Sequence, residues 1–206
     1  GISICAAAGD DGAMNKSPDG RYAADFPASD PYVTGVGGTN LNIQESKEVA
    51  WNDGPGKFTG STGGGISQFF PVPEFQNGVK MPDSANNDKK VGRGVPDIAG
   101  NASPLSGYRI RVHGSDTVMG GTSAVAPLYA ALMMRVNGAL GHPVGYLNPF
   151  LYKNGGTDMF RDIVDGNNNG YNAGPGWDAT TGWGSIRGTK FLEALRKQDK
   201  ESKSAE

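Results

Sequence analysis

The longest periodic stretch of the chain runs from Val125 to Val136, where Val125, Leu128, Tyr129, Leu132, Met133 and Val136 recur at helical spacing and form one apolar stripe. The pattern predicts a helix that starts at Ser123 and stops at Asn137-Gly138. Pro127 is tolerated in the first turn, where the amide it lacks has no intrahelical partner. Alanines at 124, 126, 130 and 131 keep the remaining faces small, so this helix is expected to be buried on more than one side. Ile2 to Ala8 is a short, nearly unbroken apolar run, the pattern of a strand buried on both faces of a parallel sheet. Tyr32 to Val36 is a second strand. Leu41–Ile43 and Val49–Trp51 predict a hairpin bridged by Glu45-Ser46-Lys47-Glu48. Tyr108 to Val112 alternates apolar residues with arginine, as a half-exposed strand does, and Thr117 to Met119 leads back to the helix. A short helical or turn segment is expected over Tyr146 to Tyr152, and a last helix over Lys190 to Arg196. Residues 1–196 read as one unit, and 197–206, with no apolar residue but Ala205, read as a polar, disordered tail.

Length and charge narrow the classes. The 206 residues suit a single domain with a sizeable core, and 19 basic against 21 acidic residues leave a net charge of −2. No basic patch argues for nucleic acid, and no apolar run reaches membrane-spanning length. Gly1 does not begin a signal peptide, so the chain is expected to be an internal piece of something longer. Cys5 is the only cysteine, which excludes an internal disulfide. The 33 glycines and 13 prolines make the chain turn-rich.

Four places carry candidate chemistry. Ser123, delivered by Gly120-Gly121-Thr122 to a helix start, is either an N-cap or a nucleophile whose attacked carbonyl sits near unpaired amides and the positive end of the helix dipole. Asp10 follows the first strand in Gly9-Asp10-Asp11-Gly12, and is either a turn-former or a carboxylate facing a site at the carboxyl edge of the sheet. Gly60-Ser61-Thr62-Gly63-Gly64-Gly65-Ile66-Ser67 is a flexible loop, or an exposed backbone edge that pairs with an extended peptide. A phosphate cradle fits it less well, because the Gly-Lys-Ser/Thr of a P-loop is absent. Asp162 to Asp178 is rich in hard oxygen donors that suit calcium, although an Asx-rich turn cluster without metal explains the same residues. An EF-hand register opening at Asp165 fails, because its twelfth position falls on Gly176 where a bidentate glutamate is needed. A serine nucleophile also needs a base, and His113 and His142 both read as solvated or structural. The Gly-x-Ser-x-Gly of a nucleophile elbow is missing at Ser123, which argues against an α/β-hydrolase.

Taken together, Ala8-Gly9-Asp10-x-Gly12, Ser61-x-Gly63-Gly64-Gly65-x-Ser67, Gly120-Gly121-Thr122-Ser123-Ala124-Val125-Ala126-Pro127 and Asp162-Ile163 through Gly174-Pro175-Gly176-Trp177-Asp178 stand in an order that resembles the sedolisin (serine-carboxyl peptidase, kumamolisin-like) family. The resemblance covers the chain to about Leu195 and implies an α/β, subtilisin-like three-layer fold with a mainly parallel central sheet. This chain would supply the carboxyl-terminal part of it and lack the amino-terminal portion. It implies a serine-type endopeptidase acting on peptide or protein substrates in acid, in a secreted or acidic compartment. Ser123 would be the nucleophile and Asp10 the protonated carboxyl of the oxyanion hole. Gly63, Gly64 and Gly65 would line the specificity pocket, and Asp25 would touch a basic substrate side chain unless it is a solvated loop acid. One Ca2+ would bind the carboxylates of Asp162 and Asp178 and the carbonyls of Ile163, Gly174 and Gly176. In this family the base is a glutamate oriented by an aspartate one helical turn later. That Glu-x-x-x-Asp is absent here, so the resemblance implies an amino-terminal chain that brings it. The alternatives are a non-catalytic, calcium-stabilised peptide-binding fragment or pseudoenzyme, and a calcium-dependent binding module. Asp97, in Arg93-x-x-Pro96-Asp97, reads as structural.

Overall fold

A computed structural model describes residues 1–54 and 60–204. Its organising strand is β2 (Thr34–Asn42), to which three others are hydrogen-bonded. β1 (Cys5–Ala7) runs parallel to its start, with Cys5 opposite Thr34 and Ala7 opposite Val36. β3 (Lys47–Ala50) returns antiparallel along its end, Thr39 opposite Ala50. On the opposite edge, β6 (Ile98–Asn101) is parallel to Val36–Thr39. Between β3 and β6 lie β4 (Gly65–Ile66) and β5 (Gly94–Val95), a short antiparallel pair. The hairpin of β7 (Tyr108–Val112) and β8 (Ser115–Met119) follows, with Tyr108 opposite Met119. Next come α1 (Thr122–Leu140), α2 (Asn148–Lys153), the antiparallel pair of β9 (Phe160–Arg161) and β10 (Ser185–Ile186), and α3 (Gly188–Ser204).

α1 lies on the sheet because the sheet makes room for it: a Cβ on Gly100 in β6 would stand 2.8 Å from Val125 Cγ1. Val125, Ala126, Tyr129, Met133 and Val136 are buried there, each large apolar side chain contributing about 1.5–3 kcal/mol. The Tyr129 hydroxyl donates to the Ala99 carbonyl at 2.6 Å and accepts the Ile186 amide at 3.1 Å, which ties helix, sheet and β10 together. The expected stripe needs one correction, since Leu128 is 48% exposed on the outward face with Met134. The helix also starts one residue before Ser123 and passes Asn137-Gly138. It ends where Gly141 takes a left-handed φ of 80° and its amide bonds the Asn137 carbonyl.

The first strand is shorter than its apolar run. Ile2 and Ile4 are 83% and 52% exposed, because β1 is paired only with β2 among the described strands, so the expectation of burial on both faces does not hold. At the other end, α3 continues past Arg196 to Ser204 rather than fraying at residue 197. It buries Phe191 and Leu195 one turn apart, and its extension carries Lys197–Glu201 at 3.9 Å and Asp199 against His142 Nε2 at 2.7 Å. The last two residues of the expected tail, 205–206, lie outside the described residues. Among the described residues no helix is long and apolar enough to cross a membrane.

Candidate active site

The carboxyl end of β1 and the amino end of α1 meet at one point. Gly121 occupies the N-cap of α1, where it has no side chain to satisfy the first amides. Asp10 does so from 112 positions away: its Oδ1 accepts the Thr122 amide at 2.7 Å and the Thr122 hydroxyl at 2.8 Å. A carboxylate at a helix N-terminus is favoured by the dipole as well as by the hydrogen bonds. Oδ2 lies over Gly121, where a Cβ would be only 2.6 Å away. Ser123 is therefore not the cap. It is the second residue of the helix, exposed, and adjacent to the residue that holds Asp10. The structure brings Asp10 against Thr122, one residue before Ser123.

The glycine-rich segment backs this junction. Ser61 pairs parallel with Asp11, the Ser61 amide donates to the Asp10 carbonyl at 3.0 Å, and the Gly63 amide donates to the Gly9 carbonyl at 2.8 Å. Gly63, Gly64 and Gly65 are all buried. Added Cβ atoms would meet the Ala8 carbonyl at 1.8 Å, the Ala179 carbonyl at 2.4 Å and the Tyr171 ring at 2.8 Å. The triplet is thus a packed seam with Gly65 already paired to Val95 in β5, and its backbone is buried rather than exposed as expected. The open space lies beside it, a cleft of about 300 Å³ lined by Asp10, Asp11, Asn52, Gly60, Ser61 and Asn169. Asn52 Nδ2 donates to the side-chain oxygens of both Asn167 and Asn169 at 3.0 Å, which occupies the asparagines of the discarded EF-hand register. Thr122 and Asn52 escaped the sequence reading as site residues, and Asn169 was weighed only in the EF-hand register. Thr122 stood inside the motif with a hydroxyl one residue from the serine, whereas no local signal pairs Asn52 with residues more than 110 positions away.

Asp25 is exposed, and its backbone carbonyl accepts the Ser29 amide at 2.8 Å. His113 is exposed at a left-handed φ of 48° in the β7–β8 turn, and His142 is held at α3 by Asp199, so neither histidine stands at the Asp10–Thr122 junction. Asp97 is structural as expected. It is fully buried, accepts Arg93 Nη2 at 2.7 Å, the Gly35 amide at 2.7 Å and the Tyr152 hydroxyl at 2.8 Å, and joins the start of β2 to α2.

Asp162 and Asp178 converge on one loop. The Gly176 amide donates to Asp162 Oδ2 at 2.9 Å and the Gly174 amide to Asp178 Oδ2 at 3.1 Å. Asp178 is buried, and burial pushes its carboxyl above the usual carboxylate range although the amides and hydroxyls of Thr180 and Thr181 donate to it. No cationic side chain pairs with it among the described residues. Ile163 is buried beside Asp162, and nothing stands within 4 Å of a Cβ on Gly174 or Gly176. Among the described residues no three His, Cys, Asp or Glu side chains gather, so a cation here would depend on backbone carbonyls for most of its shell. A buried carboxylate with no cationic partner among the described residues and a second carboxylate on the same loop are the start of a donor set that fits a hard divalent cation.

Compared with known proteins, the chain matches no protein-family model. It is 51% identical over 204 residues to kumamolisin of Bacillus sp. (strain MN-32), covering 95% of this chain and 36% of that protein. It is 33% identical over 214 residues to sedolisin of Pseudomonas sp. (strain 101) and 31% identical over 225 residues to tripeptidyl-peptidase 1 of Bos taurus, covering 95% of this chain each time and 35% and 37% of theirs. A solved structure of Pseudomonas sedolisin, a serine-carboxyl proteinase complexed with two molecules of pseudo-iodotyrostatin, superposes with a TM-score of 0.83 at 30% identity, over 96% of this chain and 56% of that one. The chain thus spans about a third of the length of the curated relatives it matches. With its α/β architecture, its mixed sheet and this superposition, it has part of a subtilisin-like fold and belongs to the sedolisin family.

Proposed function

We propose that this chain carries the nucleophile and the oxyanion site of a serine-carboxyl endopeptidase that works in acid. The observation that carries the reading is the junction at the N-terminus of α1, where Asp10 is hydrogen-bonded to Thr122 and the next residue is the exposed Ser123. Ser123 Oγ attacks the scissile carbonyl of a peptide or protein substrate and gives its proton to a general base. The carbonyl oxygen becomes an oxyanion that accepts from the Ser123 amide, which faces no intrahelical partner in the first turn, and from the protonated carboxyl of Asp10. A neutral carboxylic acid donates such a bond where a carboxylate repels the developing charge, so acid favours the reaction. The base returns that proton to the leaving nitrogen, so collapse of the tetrahedral intermediate releases the amine and leaves an acyl-serine, which water then hydrolyses by the same proton relay. The polar cleft beside Asp10 receives substrate groups, and Asp25 meets a basic substrate side chain.

The base comes from a segment bearing Glu-x-x-x-Asp outside this chain. Two surfaces support that partner: the open edge of β1 with Ile2 and Ile4, and the outward face of α1 with Leu128 and Met134. A helix apolar on its outer face as well as its inner one is a helix meant to be covered. Asp162 and Asp178, with the carbonyls of Ile163, Gly174 and Gly176, would hold one Ca2+, whose charge would neutralise the two carboxylates and brace the loop. Action in a secreted or acidic setting follows from the same acid requirement. Assays of the complete enzyme on a chromogenic peptide across acid pH test the reading: Ser123→Ala is expected to lose more than about a thousandfold in kcat. Hydrolysis undiminished in that variant refutes it.

A further inference from the structure

Asp10 has two carboxyl oxygens in unlike surroundings, and the difference is made by one residue. Oδ1 accepts both the amide and the hydroxyl of Thr122, at 2.7 and 2.8 Å. The Thr122 hydroxyl oxygen accepts the Gly9 amide at 3.2 Å, with the Gly9 carbonyl also 3.2 Å away as a longer alternative acceptor to Asp10 Oδ1, and the side chain is fully buried. Being β-branched, it has few rotamers to choose from. Oδ2 receives no hydrogen bond within the described residues and faces the space that Gly121 leaves free.

We propose that Thr122 is the positioning residue of Asp10, engaging Oδ1 through amide and hydroxyl so that the proton donated to the oxyanion is confined to Oδ2. The inference rests on the reading of Asp10 as an oxyanion donor and adds to it which oxygen donates and what selects it. A proton on Oδ1 would face the Thr122 amide, which can only donate, and would turn the hydroxyl away to its other acceptor, the Gly9 carbonyl at 3.2 Å, whereas on Oδ2 it leaves both bonds to Oδ1 in place. Any residue at position 122 offers the amide, but only a hydroxyl-bearing one offers the second bond. Without it the carboxyl can swing about its Cβ–Cγ bond and present either oxygen.

Thr122→Val keeps the shape and removes the hydroxyl, while Thr122→Ser keeps the hydroxyl and removes the methyl. In the complete enzyme, Thr122→Val is expected to lower kcat about 30- to 100-fold with KM changed less than about threefold, as misorientation of a catalytic group does. Thr122→Ser should stay within about threefold of the parent kcat. A crystal structure of Thr122→Val should show the Asp10 carboxyl turned from its position over Gly121. Parent-like kcat in Thr122→Val, equal losses in both variants, or an unmoved Asp10 overturns the proposal. Asp10→Ala separates the two levels: parent-like kcat in that variant sinks the oxyanion reading itself, and the crystal readout still reports whether Thr122 anchors Asp10.

Discussion

Gly121 works under two constraints at once. Its φ of 91° lies in the left-handed region, and its Cα stands where any Cβ would press on Asp10 Oδ2 at 2.6 Å. Gly121→Ala therefore both strains the backbone, by about 1–3 kcal/mol, and displaces the carboxyl. The expected outcome is a lower urea midpoint together with a kcat loss of about a hundredfold, larger than the stability change alone explains. Parent-like turnover in this variant would show that the position of Oδ2 is immaterial. Cys5, on β1, supports a separate prediction. Burial, and then the charge of Asp97, push its thiol from 9.0 up to about 11. Between those values the folded protein keeps a proton that the unfolded chain gives up. Stability is thus unaffected below pH 9 and declines as pH rises to 11, by about 3 kcal/mol at most. Unfolding curves across that range should show the decline in the parent and lose that part of it in Cys5→Ser. Iodoacetamide at pH 8 should label Cys5 about a hundredfold more slowly than free cysteine, following the smaller thiolate fraction.

Among the elements, those driven by a local apolar pattern were legible: α1, the β2–β3 hairpin and β7 occur where periodicity or alternation predicted them, and α2 falls in the expected helical or turn segment, whereas β8 was not foreseen as the partner of β7. The boundaries were not, because they depend on partners distant in sequence. α1 begins at Thr122 since Asp10 caps it, and the exposure of Leu128 depends on which of two apolar faces the sheet happens to cover. The burial of the glycine triplet was hidden for the same reason. A run of glycines signals close approach without saying to what, and the nearest atoms to added side chains here belong to Ala8, Ala179 and Tyr171. The structural reading of Asp97 succeeded because a buried aspartate four residues after an arginine has few other uses. That pair joins β2, β5 and α2: Arg93 donates to the Val33 and Gly94 carbonyls as well as to Asp97. Arg93→Ala leaves a carboxylate buried without a counter-charge and is expected to cost about 3–5 kcal/mol in urea unfolding. Replacing both partners, Arg93→Met with Asp97→Leu, should cost clearly less than the sum of the single losses. Additive losses would mean the two side chains do not act as a pair.

At the scale of the whole molecule, the chain answers two needs in different ways. On the proposed reading the base comes from a further segment, and that segment can also cover the apolar outer surface that α1 and β1 expose among the described residues. The Asp162–Asp178 loop has a need of its own, because a buried carboxylate without a cationic partner opposes folding unless something neutralises it. If that is calcium, binding stabilises the folded state alone. At a hundred times the dissociation constant this amounts to about 2.7 kcal/mol. For a protein of this size it raises the melting temperature by about 5–10 °C. Thermal unfolding in 1 mM Ca2+ against EGTA should show that shift. Magnesium should give little of it, since it demands a tighter octahedral shell than a loop of carbonyls supplies. Asp162→Ala is the cleaner variant: Asp162 is exposed and accepts one amide, from Gly176, whereas Asp178 also holds the turn at Thr180 and Thr181. Asp162→Ala should therefore melt close to the parent in EGTA and lose most of the calcium-dependent rise. A parent protein whose melting is identical in calcium and EGTA has no such site, and the loop is then held by its own hydrogen bonds.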